Sequence, residues 1–90
     1  MITVFGSLAL VPGQRDDFLR RSRSAVEAAR RTDGCRDFAV SPDLIDPDRV
    51  NVFECWKSAE ALERFRGEGP GEDLSALILR YDITQRGLGD

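Results

Sequence analysis

Histidine is absent from all 90 residues. Its absence removes the commonest protein metal ligand, the usual proximal haem ligand and the most frequent general base. Ser-His-Asp and Cys-His nucleophile systems are excluded outright. Cysteine is scarce: Cys35 and Cys55 match no metal or redox spacing and read as reduced thiols in a sheet. An oxidative bridge between them is conditional on their Cα separation. No apolar run approaches the ~20 residues needed to cross a membrane. The opening "MITVFGSLALVPG" lacks the positive n-region of a signal peptide, so a cytoplasmic protein with no membrane partner is expected. Net charge is −3 and no basic cluster is interleaved with aromatics, so nucleic acid is not an expected partner. Arg20, Arg21, Arg23, Arg30 and Arg31 fall in one predicted helix and read as its solvated face.

What remains is one domain, residues 1–90 with an ordered core of about 2–86, and no second domain. A chain this short buries only about 60–65% of its unfolded surface and gains from oligomerisation. "ITVFGSLAL" (2–10) alternates and is rich in β-formers, predicting a first strand that ends at Pro12-Gly13. "GQRDDFLRRSRSAVEAARR" predicts a helix whose apolar face carries Phe18, Ser22, Ala25, Val26 and Ala29. Asp16 and Asp17 suit its start, Arg30 and Arg31 its end, and Gly34 its left-handed stop. Strands follow at 35–43 and 49–57 around an "LIDPD" turn. Ser58 caps a second helix, "AEALERFRGE"; a short helical turn in "EDLSAL" precedes the last strand, 78–86, and the tail "GLGD" is expected to fray.

The order β-α-β-β-α-β predicts an α+β, ferredoxin-like fold: a four-stranded antiparallel sheet with both helices on one face. The other face should be polar, yet Phe5, Ala9, Phe53 and Cys55 fall opposite the apolar positions of their strands. Such a face marks an interface, and a second copy packed sheet on sheet gives a two-fold homodimer.

The segment "DPDRVNVFECWKS" concentrates the polar chemistry. Val50, Val52, Glu54 and Trp56 alternate with Asn51, Phe53 and Cys55. An antiparallel hairpin through "LIDPD" pairs residues whose numbers sum to roughly 92. Phe38 then lies across from Glu54, Arg36 from Trp56, and Asp37 beside Cys55. Glu54 reads either as an acid paired with Arg36 or Arg80, or as a pocket carboxylate with a raised pKa. Arg80 needs a carboxylate partner if buried, and Glu54 or Asp82 can serve.

The strand-to-helix "VPGQRDDFL", the run "ARRTDGCRDFAVSPDLIDPDRVNVFECWKSAEAL" and the closing strand together resemble the antibiotic biosynthesis monooxygenase (ABM) family of dimeric α/β-barrels, which includes quinol monooxygenases. The shared pattern is "GC…DP-R…E-W-S-EAL". The resemblance implies oxidation of a phenol or hydroquinone by O₂ with neither metal nor other cofactor. Other members degrade haem, isomerise lactones or have no known reaction. Relatives often carry histidines where this chain has "ERFRGEGPGEDL". Some cofactor-free members carry an Asn four residues before the Trp; that position is Val52 here, with Asn51 one residue away. The haem-degrading branch needs an Asn near Ser7 and a histidine, so that route is closed.

On this reading Glu54 or Asp37 ionises a small aromatic substrate and Arg80 or Asn51 holds the anion. Trp56 and Phe65 sandwich the ring, and Arg36 and Ser7 complete the candidate binding set. The alternative is a non-catalytic dimeric α/β-barrel that binds a small ligand or serves as an accessory subunit. A cavity of roughly 300 Å³ or more beside Trp56 discriminates between them.

Overall fold

A computed structural model of the chain describes residues 1–87. Strand β1 (Ile2–Leu10) leads into helix α1 (Arg15–Arg31), then β2 (Cys35–Pro42) and β3 (Arg49–Trp56). Helix α2 (Ala59–Gly67), a 3₁₀ turn (Ser75–Leu77) and β4 (Ile78–Gly87) complete the chain. The sheet order is β2-β3-β1-β4, with every pair antiparallel, as the ferredoxin-like reading requires. The fraying expected at the tail falls on residues 88–90, outside the described residues. Gly87 itself still pairs with Ile2.

Local chemistry accounts for the boundaries. Ser58 accepts the Ala61 backbone N–H at 3.2 Å, satisfying one of the donors orphaned at the start of α2. Gly34 turns the chain out of α1 at φ 89°, where a Cβ would stand 2.6 Å from that of Ala61. The arginines of α1 are a paired surface: Arg20 and Arg21 both meet Asp17, Arg21 also meets Glu72, and Arg23 meets Glu27. No helix among the described residues is long and apolar enough to cross a membrane.

Two apolar clusters hold the helices to the sheet. One gathers Val4, Ala29, Trp56, Ala61, Leu62 and Phe65; the other gathers Leu8, Leu10, Phe18 and Val50. Between them runs the cross-strand row Val40, Val52, Gly6 and Ile83. Gly6 contributes no side chain there, and its φ of 144° brings β1 against β4: a Cβ would meet the Asp82 carbonyl oxygen at 1.9 Å. The helix side of the sheet therefore has a gap between its two packed ends.

The pairing corrects one expectation. Phe38 does lie opposite Glu54 and Asp37 opposite Cys55, but Cys35, not Arg36, pairs with Trp56. One extra residue bulges out between Cys35 and Asp37 and absorbs the register shift. Cys35 consequently packs against the helix-side cluster, whereas Cys55 shares the reverse face with its partners Asp37 and Thr3. Both cysteines are free thiols, as expected, and the conditional bridge is not formed. On β4, Tyr81 and Ile83 lie on the helix side, level with Leu8 and Gly6, and Arg80 and Asp82 on the reverse.

Candidate functional site

The gap between the two clusters is a cavity of about 360 Å³. Val4, Leu8, Val52 and Ile83 floor it from three strands, and Phe38 and Val40 wall it from β2. Its polar groups are Glu54, Arg66 from the last turn of α2, and Tyr81. Strand alternation puts Glu54 on this side, two residues from Val52, with Phe38 as its cross-strand neighbour. A small, mostly apolar pocket with a few convergent polar groups is the usual form of a small-molecule site.

Glu54 is its most unusual member. Trp56 Nε1 donates to Glu54 Oε1 at 3.0 Å. Burial drives the carboxyl pKa above its ordinary value, opposed by that indole hydrogen bond and, more weakly, by the charge of Arg66. Arg66 also reaches Gln85 Oε1 at 3.5 Å. The expected ion pair of Glu54 with Arg36 or Arg80 is not formed. Arg80 pairs in register with Ala9 on the reverse face, and Arg36 sits exposed at the bulge.

The other sequence candidates disperse in the same way. Asp37 is exposed opposite Cys55 and accepts the Phe38 backbone N–H at 2.9 Å. Asn51 lies on the reverse face paired with Ser7; its amide donates to Asp43 at 3.0 Å and accepts from Arg49 at 2.9 Å. It fastens the hairpin rather than reaching the cavity. Trp56 and Phe65 do not sandwich a vacant slot: their ring centroids are 5.1 Å apart, in mutual contact, and both rings are buried. Phe38 meets them edge-on at 6.5 and 5.7 Å and carries the aromatic wall out to the cavity. Trp56 does not line the cavity itself and bears on it through Glu54 and Phe38.

The residues that sequence reasoning missed are Phe38, Tyr81 and Arg66. Phe38 had a usable signal, since hairpin register places it across from Glu54. Tyr81 shares its parity with Ile83, but the strand alone does not reveal that the helices leave β4 uncovered. Arg66 lies one residue beyond the buried Phe65, where an α-helical turn from Leu62 returns toward the sheet.

A wider cleft of about 560 Å³ along α1 has a different character. Arg20, Arg23 and Arg30 line it, and each is already engaged, by Asp17, Glu27 and the Phe38 carbonyl oxygen. Among the described residues, no group of three or more His, Cys, Asp or Glu side chains is placed to hold a metal ion.

Comparison with known proteins bears on the fold and the family. A structure from Pseudomonas aeruginosa superimposes with a TM-score of 0.78 at 24% identity, covering 94% of this chain and 90% of that one. A candidate antibiotic biosynthesis monooxygenase from Nitrosomonas europaea gives 0.83 at 14% identity, covering 97% of each. A Mycobacterium tuberculosis structure gives 0.80 at 21%, covering 99% and 95%. These likenesses establish the shared fold. An uncharacterized protein of Synechocystis sp. is 26% identical over 62 residues, which span 69% of this chain and 42% of that longer relative. Residues 1–70 match the family described as Antibiotic biosynthesis monooxygenase, and the chain belongs to that family.

Proposed function

We propose that the Glu54 cavity binds a small electron-rich aromatic, a phenol or hydroquinone, and that the protein promotes its oxidation by O₂. The observation that carries this reading is a half-buried carboxylate with a raised pKa at the wall of an apolar cavity sized for one or two fused rings. An ionised Glu54 in that setting is a stronger base than a carboxylate in water and accepts the phenolic proton. The Arg66 guanidinium and the Tyr81 hydroxyl, which share the cavity, stabilise the phenolate left behind. The phenolate then reduces O₂. For a benzene-1,4-diol, one diol and one O₂ yield one hydroxyquinone and one water. One oxygen atom enters the ring, the other leaves as water, and the ring supplies all four electrons.

Oxygen uptake with a panel of hydroquinones tests the reading. Turnover by the wild type that falls sharply in Glu54→Gln and Arg66→Met supports it. Turnover indifferent to both substitutions would remove these residues from the mechanism. A second reading is favoured by the hydrogen bond that already occupies Glu54: the cavity belongs to a non-catalytic binder, and the acid serves to seat Trp56. Saturable binding of a phenol with no oxygen uptake on any hydroquinone selects that reading.

We also propose a homodimer through the reverse face of the sheet. That face is banded, not uniformly apolar. Phe5 and Phe53 pair in register at its centre, 38% and 39% exposed, with Ala39 and Thr84 flanking them. Polar rows lie on both sides, Ser41-Asn51-Ser7-Asp82 and Asp37-Cys55-Thr3-Arg86. An apolar centre with a polar rim is the anatomy of a protein interface. Sedimentation equilibrium at micromolar concentration checks it, and a folded monomer would sink it.

A further inference from the structure

Glu54, Val4 and Gln85 form one cross-strand row on the helix side of the sheet, from β3 through β1 to β4. The acid and the amide therefore stand two strand spacings apart, about 10 Å between Cα atoms. Arg66 reaches over this row from the last turn of α2. Its origin is fixed by the residue before it: Phe65 is buried against Trp56 and Phe38, with ring centroids 5.1 and 5.7 Å away. A guanidinium offered a carboxylate and an amide ordinarily takes the carboxylate, because opposite charges attract and a carboxylate accepts two of its N–H groups at once. Here Arg66 Nη1 donates to Gln85 Oε1 at 3.5 Å, and Glu54 Oε1 accepts instead from Trp56 Nε1 at 3.0 Å. The charge of Arg66 is felt at Glu54, yet the two do not pair.

An Arg66–Glu54 ion pair would stabilise the carboxylate and weaken it as a base. It would also cancel the guanidinium charge that a phenolate needs. When the phenolic proton passes to Glu54, the negative charge is left on the substrate oxygen, so base and cation have to be separately available. A neutral amide meets that need, since it holds the arginine without neutralising it. The 3.5 Å contact is long for such a bond, so an anionic oxygen entering the cavity competes for the guanidinium on favourable terms. The other charged or titratable groups around Glu54 do not replace Arg66. Arg30 of α1 is held on the Phe38 carbonyl oxygen, and Tyr81 of β4 enters the cavity level with Leu8. Cys35 of β2 is a thiol whose own pKa burial pushes up, and β1 presents the apolar Val4.

Resting on the catalytic reading of the cavity, we propose that Gln85 is a positioning residue that parks Arg66 clear of Glu54, so that one phenolic hydroxyl meets a free base and a free cation. Gln85 lies outside the cavity lining and acts through Arg66. Without it, Arg66 swings across Val4 to Glu54, and the resulting pair holds the acid in its ionised, less basic form.

The test follows the Glu54 side-chain carboxyl by carbon-13 NMR in the full chain, its signal being the one lost in Glu54→Gln. Gln85 is exposed on the outer strand and belongs to neither core cluster, so Gln85→Met leaves the packing intact. That substitution is expected to move the Glu54 titration midpoint downward by about one pH unit. Hydroquinone-dependent oxygen uptake at pH 7 should slow about tenfold with it. Arg66→Met moves the midpoint upward, because the cation is gone. Arg66→Met/Gln85→Met should titrate as Arg66→Met does. A midpoint unmoved or raised by Gln85→Met would overturn the proposal, and so would an equal downward shift in the Arg66→Met background. Failure of the parent reading is distinct: a wild type that consumes no oxygen with any hydroquinone ends the catalysis, while the titration cycle still decides where Gln85 places Arg66.

Discussion

Two carboxylates of one hairpin, Asp43 in its loop and Glu54 on its second strand, have opposite environments. Asp43, in the loop, accepts from the Ile45 and Asp46 backbone N–H groups and from the Asn51 amide, and these donors pull its pKa down to about 2. Glu54, on the helix side of β3, has one indole N–H and an apolar surround, and burial pushes its pKa up. The loop acid is satisfied as an anion and serves as a structural clip. The strand acid is under-solvated as an anion, the condition that makes a carboxylate a useful base. Their difference is one of donors and water, not of residue type.

That contrast can be broken at several points, the largest at Trp56. Trp56→Ala empties the fully buried centre of one core cluster and leaves Glu54 without its donor. A loss of about 3–5 kcal/mol in urea unfolding is expected. Next comes Glu54→Gln, which keeps an acceptor for Trp56 but removes the base. Hydroquinone-dependent oxygen uptake should fall about 100-fold or more.

The same substitution has a stability signature of definite sign. A carboxyl whose folded pKa is raised opposes folding once ionised, so its cost is present above the folded pKa and absent below the unfolded value of about 4.5. Glu54→Gln should therefore raise the melting temperature at pH 7 and leave it unchanged at pH 3. A rise at both pH values would remove the burial argument.

Trp56→Phe sharpens the comparison further. It withdraws the hydrogen bond that lowers the Glu54 pKa, so the pH–rate midpoint for oxygen uptake should move upward from that of the wild type. The smallest effect is expected at the clip. The contribution of Asp43 is present above its ordinary pKa of 3.8 and lost as pH falls toward about 2. Asp43→Ala should lower the melting temperature by a few degrees at pH 7, with the gap to wild type closing near pH 2.

Much of the fold was legible because it depends on local signals. The Ser58 cap, the acidic and basic ends of α1, and the turn residues at Gly34 and "LIDPD" mark element boundaries within a residue or two of those observed. The candidate site was legible only in part. Glu54 stood out because a lone acid among Val50, Val52 and Trp56 is an anomaly of strand pattern. Arg80 and Asn51 were misplaced for the matching reason: a strand residue belongs to the face its parity assigns, and both have the parity of the reverse face. Arg36 was lost to a one-residue bulge, which periodicity does not announce. Trp56 and Phe65 were recognised as aromatic but not as mutually stacked, because only packing decides whether two rings face a cavity or each other.

By itself the sequence determined the order of elements, their ends and the exclusion of histidine chemistry, since each follows from residue identity and short-range spacing. Tertiary structure alone decided which side chains meet. The Gly6 gap between two packed clusters, the reach of Arg66 from α2 and the bare flank of β4 depend on how far the helices extend over the sheet, and no local pattern encodes that distance.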